Sequence, residues 1–174
     1  FTNMNQPLGY YSGLFCEVFE SIEFLKGNCA SSDLVDLIYN LGENCLALAK
    51  IDKPKDKIKN VIFNGRAYEI FCKMVYTHGG RLNKIKFNPK EIYDIKSNES
   101  GILSHIDTKQ LGISINSICY LSNGSTDNQA GLKINKKLND YVSKNDVLAT
   151  VFSSNKNKIE YELEKITNSF TISL

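Results

Sequence analysis

The spacing of apolar residues changes once along the chain, near residue 81, and that change excludes any fold built from one kind of element throughout. Before it the apolar positions recur at three- and four-residue steps, the mark of an amphipathic helix. Leu14, Phe15, Val18, Ile22 and Leu25, with Glu17, Glu20 and Glu23 between them, predict a helix over 9–26 that Gly27-Asn28 ends. Ser31-Ser32-Asp33 offers an N-cap for a second helix, in which Leu34, Leu37, Ile38, Leu41, Cys45 and Leu48 share a face, and Pro54 bounds it. A third helix is expected over 55–63, broken by Asn64-Gly65. A fourth carries Ala67, Ile70, Phe71, Met74 and Val75 and is closed by His78-Gly79-Gly80, a glycine cap.

Beyond residue 81 β-branched residues alternate with polar ones over 91–95 and 101–106, a strand signal. A helix over 108–121, strands over 131–134, 140–142 and 147–152, a last helix over 156–168 and a short strand over 170–172 complete a mixed pattern. The basic, weakly periodic stretch 81–90 is the natural boundary. The expectation is an α+β chain with a helical part, 1–80, and an α+β part, 81–174.

Composition narrows the class. Of 174 residues 42% are hydrophobic, and 21 Lys+Arg nearly balance 19 Asp+Glu, so a disordered tail and a dedicated nucleic-acid binder are both disfavoured. Aromatic residues are not interleaved with the lysines as a nucleic-acid platform requires. No apolar stretch approaches the length of a spanning helix and no signal-type leader is present, so a soluble, cytoplasmic protein without a membrane partner is expected. The five cysteines are widely spaced, with no C-x-x-C and only His78 and His105 beside them, which favours reduced, mostly buried thiols over zinc or disulfides. His78 reads as a helix-end residue and His105 as a strand residue with no ligand or triad partner. The chain begins at Phe1 rather than Met, and the expectation is that it is part of something longer.

The most specific signal is the run Thr2-Asn3-Met4-Asn5-Gln6-Pro7-Leu8-Gly9, followed by Gly13 and by Glu17-Val18-x-Glu20. It resembles the signature T-D-M-N-Q-P-L-G, then G-N-A-L-E-V-x-E, of the thymidine/pyrimidine-nucleoside phosphorylase family. The resemblance continues in order through Leu25-Lys26-Gly27, Asp33-Leu34, Leu41-Gly42, Asn64-Gly65-x-Ala67-x-x-x-Phe71-x-x-Met74-Val75, Gly79-Gly80 and Gly101-x-Leu103-x-x-Ile106-Asp107-x-x-x-Leu111-Gly112.

This resemblance implies the C-terminal half of the family's chain: helices of its α/β domain, then a C-terminal domain of α/β-hammerhead type. It implies phosphorolysis, in which phosphate as co-substrate displaces a pyrimidine base from C1′ of a nucleoside and leaves a pentose 1-phosphate. The oxocarbenium-like transition state needs phosphate on one side and groups that take up charge on the leaving base. In the family the glycine-rich phosphate loop and the Arg, Ser and Lys that hold the base lie upstream of the motif. No loop here replaces them, and Arg66 and Arg81 have no motif around them. No catalytic residue is therefore assigned, and the chain by itself is expected not to catalyse phosphorolysis. The missing N-terminal half, or a homodimer partner, is the implied partner; a non-catalytic remnant or binding module derived from the family is the alternative.

The resemblance also places a potassium ion on Leu8 and Tyr11, through main-chain carbonyls, and on the Glu20 carboxylate. Without it, Glu20 reads as a solvent-facing helix residue. The stretch 120–131 departs from the family, whose G-A-G-R loop closes the active cleft: the arginine is absent and only Gly124, Asp127 and Gly131 correspond. The pattern over 132–152 is like the half-motif of biotinyl and lipoyl carrier domains, but Lys136-Lys137 lacks the small or methionine neighbours of a carrier lysine, and a structural half-barrel explains the same alternation. Residues 88–174 are expected to fold alone. The helices before them are not expected to bury both their faces.

Overall fold

The computed structural model describes residues 3–28, 30–121 and 124–173. Its elements run β1 (Tyr11–Gly13), α1 (Phe15–Leu25), α2 (Ser32–Leu48), α3 (Pro54–Phe63), α4 (Arg66–Thr77), β2 (Glu91–Lys96), β3 (Gly101–Ile106), α5 (Thr108–Cys119), β4 (Gly131–Ile134), β5 (Tyr141–Val142), β6 (Val147–Ser153), α6 (Lys156–Thr167) and β7 (Phe170–Ser173). The chain is α+β. It divides into two compact units, one made of Phe1–Val18 with Phe87–Leu174 and the other of Phe19–Lys86. The sequence division into 1–80 and 81–174 cuts the chain once, whereas these units cut it twice, because β1 pairs with β4.

In the first unit a four-stranded antiparallel sheet has the order β1-β4-β6-β2, and a three-stranded one the order β5-β3-β7. Alternation sets the register: along β3 the residues Gly101, Leu103 and Ile106 are buried, and the pairing with β7 shifts between Leu103 and His105. The β4–β5 and β5–β6 turns need positive φ, which Asn139 and Asn145 supply at +72° each, a conformation asparagine tolerates better than most residues. Helices α5 and α6 pack on each other, α5 touches β4, and α6 touches β2 and β6. Asp107 caps α5 by accepting from Gln110 N at 2.9 Å, and Lys158 Nζ donates to the final carbonyls of the same helix, Ser117 O at 2.8 Å and Tyr120 O at 3.0 Å. The core is aliphatic: Leu103, Ile106, Leu111, Ile118, Leu132, Ile134, Val151, Ile159 and Ile166 are all essentially inaccessible.

One expected element is corrected. The helix predicted over 9–26 starts only at Phe15, because Gly9 (φ +70°) and Gly13 (φ +148°) adopt conformations that helices exclude, and residues 11–13 join the sheet instead. Glycine is required at this crossing: a Cβ on Gly131 would lie 2.7 Å from Cys16 Sγ and 2.8 Å from both Phe152 Cε2 and Ser12 O.

In the second unit α2 packs on α3 and α3 on α4. The expected glycine caps are present at Gly27 (φ +77°) and Gly79 (φ +82°). His78 lies at the end of α4, its Nδ1 2.9 Å from Met74 O, as a helix-end residue should. None of α2, α3 and α4 contains a fully buried residue. Large apolar side chains stand in solvent, Phe63 88% exposed and Leu48 86%, with Leu41, Ile70 and Met74 also open. This is the uncovered face anticipated from periodicity. Of the cysteines, Cys16 and Cys119 are buried, Cys72 is half-buried and Cys45 is exposed, so "mostly buried" is corrected for the described thiols; Cys29 lies outside the described residues.

Candidate functional site

The family motif occupies a turn that precedes β1. Pro7 fixes its own φ and Gly9 takes a positive one, so the backbone reverses here instead of entering a helix. The turn is held from the other end of the sequence. Thr108 Oγ1 donates to Met4 O at 2.6 Å, Leu138 N donates to the Gln6 side-chain oxygen at 2.9 Å, and Ile134 N donates to Tyr10 O at 2.7 Å. Lys137 Nζ donates to Pro7 O at 2.8 Å and to Gly9 O, and it lies 5.8 Å from the centre of the Tyr10 ring. Where the turn runs into α1, Gly13 N donates to Glu17 Oε1 at 2.8 Å. Thr2, the first motif residue, lies outside the described residues.

Leu8 is at the exposed tip of this turn, Tyr11 is the first residue of β1, and Glu20 is on α1. Glu20 is only 8% exposed, so the expectation of a solvent-facing residue is corrected. Leu8 and Tyr11 belong to the first unit and Glu20 to the second. Among the described residues no group of three or more His, Cys, Asp or Glu could hold a metal ion. A site of main-chain carbonyls with one carboxylate is a different donor set, suited to a weakly hydrated monovalent cation. The turn does turn carbonyls toward a cation, since Pro7 and Gly9 receive the Lys137 ammonium.

In the divergent loop Gly124 has φ +80°. Asp127 is nearly inaccessible and accepts from Ser153 Oγ (2.7 Å), Ser154 N (2.7 Å), Ser154 Oγ (3.1 Å) and Gln129 N (3.0 Å). Burial pushes its carboxyl up, but these donors outweigh burial and hold it below the ordinary aspartate value. Asp127 therefore ties the loop to the end of β6. Ser122 and Asn123 of the same loop lie outside the described residues.

A second buried carboxylate joins α5 to α6. Glu162 accepts from Ser114 Oγ at 2.9 Å and pairs with Lys165 at 3.1 Å. Burial raises it, and Ser114, Ser117 and Lys165 lower it further, for a net downward shift. Burial likewise lifts the Cys16 thiol to about 12, with Glu17 adding to the effect, and Cys119 to about 11. Neither is a nucleophile at neutral pH. His105 is exposed on β3, and Arg66 and Arg81 are both exposed. Lys136 Nζ lies 2.9 Å from Asp146 Oδ2, and Lys137 is engaged by the turn, so neither is presented as a carrier lysine would be.

The described fold is an α+β chain in which the motif turn is held by residues of the C-terminal antiparallel domain. The sequence profile described as "Pyrimidine nucleoside phosphorylase C-terminal domain" matches residues 102–173. The chain is 35% identical over 178 residues to "Thymidine phosphorylase" of Metamycoplasma hominis, covering 94% of this chain and 64% of that protein. It is 28% identical to "Pyrimidine-nucleoside phosphorylase" of Bacillus subtilis (strain 168), covering 98% and 42%, and 30% identical to "Thymidine phosphorylase" of Mycoplasma genitalium, covering 92% and 41%. The chain is thus similar along nearly all of its length to thymidine and pyrimidine-nucleoside phosphorylases, and residues 102–173 match that family's C-terminal domain. It spans between about four tenths and two thirds of the length of these relatives.

The resemblance legible in the sequence pointed to this family. Sequence reasoning missed Lys137 and the anchoring role of Asp127. In sequence Lys137 reads only as a poor carrier lysine, because its partners are 128 and 130 residues away. Asp127 stands out in sequence only as a position that corresponds to the family's loop.

Proposed function

We propose that the chain is the C-terminal part of a pyrimidine-nucleoside phosphorylase, a pentosyltransferase of nucleoside salvage. It acts only with the N-terminal half that carries the phosphate loop and the base-holding residues. The observation that carries this reading is the similarity itself: it runs along 98% of this chain and 42% of the Bacillus subtilis protein. The open apolar faces of α2–α4 agree with it, because such faces exist to be covered. In the complete enzyme phosphate attacks C1′ of the nucleoside, the glycosidic bond breaks, and the electron pair leaves with the base. This chain contributes the wall of the site formed by its motif turn, and a potassium ion is carried by the carbonyls of Leu8 and Tyr11 and by Glu20.

The test is reconstitution. The chain is mixed or co-expressed with the part of the Bacillus subtilis relative that precedes its matching region, and release of thymine or uracil is followed in the presence of phosphate. Activity in the mixture and none in either part alone supports the proposal; activity of the chain alone, or none in a mixture whose parts bind each other, counts against it. A second reading, a non-catalytic remnant or binding module, draws support from the complete aliphatic core of the first unit and from the arginine-free loop. It predicts a monomer that ignores the added half.

A further inference from the structure

Lys137 grips the motif turn by charge. Its ammonium sits between two main-chain carbonyls, those of Pro7 and Gly9, against the ring of Tyr10. Gly9 is buried, so its carbonyl has exchanged water for this ammonium. A charged donor on a buried carbonyl is stronger than a neutral bond, and its removal leaves that oxygen unsatisfied. The hydrogen bonds to the segment from Thr108, Leu138 and Ile134 are neutral, and the Lys133 ammonium lies 5.9 Å from the centre of the Tyr11 ring without touching the carbonyls of Pro7 and Gly9 that Lys137 holds. The lysine is itself aimed by the β4–β5 turn: Lys137 N donates to Asp140 Oδ2 at 2.7 Å, and Asn139 takes the positive φ that closes the turn. Its neighbour Lys136 goes elsewhere, to Asp146 and Tyr141 O.

We propose that Lys137 is a positioning residue, a cation built into the fold that fixes the course of the 4–11 segment and the direction of the carbonyls it presents. If the phosphorylase reading holds, those carbonyls include the two assigned to potassium, Leu8 and Tyr11; that step alone rests on the reading above. The latch is a property of the folded chain and is measurable without any activity.

Amide hydrogen exchange of the full chain is compared in the wild type, K137M, K137R and K136M. Methionine keeps the length of the stem and removes the charge, while K136M removes an equal charge one residue away from a side chain that does not touch the turn. The expected result is exchange about tenfold or more faster over 5–11 in K137M, with β6 unchanged. K137R is expected to stay close to the wild-type rate, because the guanidinium restores a cationic donor, and K136M to leave 5–11 unaffected. The proposal is overturned if K137M exchanges like the wild type over 5–11, or if the loss in K137M spreads equally to β6 or ends in global unfolding. It is also overturned if K136M reproduces the loss or if K137R exchanges as fast as K137M. Failure of the reconstitution assay with the latch intact would strike the phosphorylase reading alone.

Discussion

At the scale of single residues, the fold leans on carboxylates whose donors outnumber the cost of burying them. Asp127→Asn keeps an oxygen for two donors but turns an NH2 group toward the others, and is expected to destabilise the first unit by about 2 kcal/mol in urea denaturation. The pH dependence follows from the lowered proton affinity of the folded state. A carboxyl held below its ordinary value binds protons less readily folded than unfolded. Its contribution is therefore fully present above the usual carboxylate range and is lost as pH falls through the folded value. The wild type should lose stability more steeply than Asp127→Asn between about pH 5 and pH 2; parallel curves would show that Asp127 does not titrate with folding. The thiols give an independent check. Iodoacetamide at pH 8 followed by peptide mapping should label Cys45 readily and leave Cys16 and Cys119 unmodified until denaturant is added.

At the scale of elements, β1 is the part that periodicity misread. Its three residues lie inside a run whose apolar spacing also fits a helix, and what decides is the backbone of Gly9 and Gly13 together with a close approach to Gly131, contacts made across more than a hundred residues. Gly131→Ala places a methyl against Cys16, Phe152 and Ser12, and is expected to cost about 3 kcal/mol, with faster exchange concentrated at β1 and β4 in hydrogen-exchange mass spectrometry. The other helices and strands were legible because caps, glycine stops and alternation agree locally with their final packing. Glu91–Lys96, Gly101–Ile106 and Thr108–Cys119 all fall within a residue or two of expectation. The site was legible as a motif and not as geometry. A local pattern marks Met4–Gly9, but nothing near Lys137 in sequence shows that its ammonium reaches Pro7 and Gly9.

At the scale of the whole molecule the two units differ in how completely each buries its apolar surface. The first has a continuous core of aliphatic side chains. The second keeps Leu41, Leu48, Phe63, Ile70 and Met74 open. On the proposed reading, cover for that surface comes from the N-terminal part of a phosphorylase, whose addition stabilises the helical unit by mass action. Hydrogen exchange in α2–α4 is accordingly expected to slow on adding the N-terminal part, with little change in β2–β7. The central claim, that this chain is one part of a pyrimidine-nucleoside phosphorylase, is tested most directly by phosphate-dependent release of base from thymidine or uridine in the reconstituted mixture. The account predicts no release by the chain alone and release when the N-terminal part of a relative is supplied; release by the chain alone, or a stable complex that cleaves neither nucleoside, would contradict it.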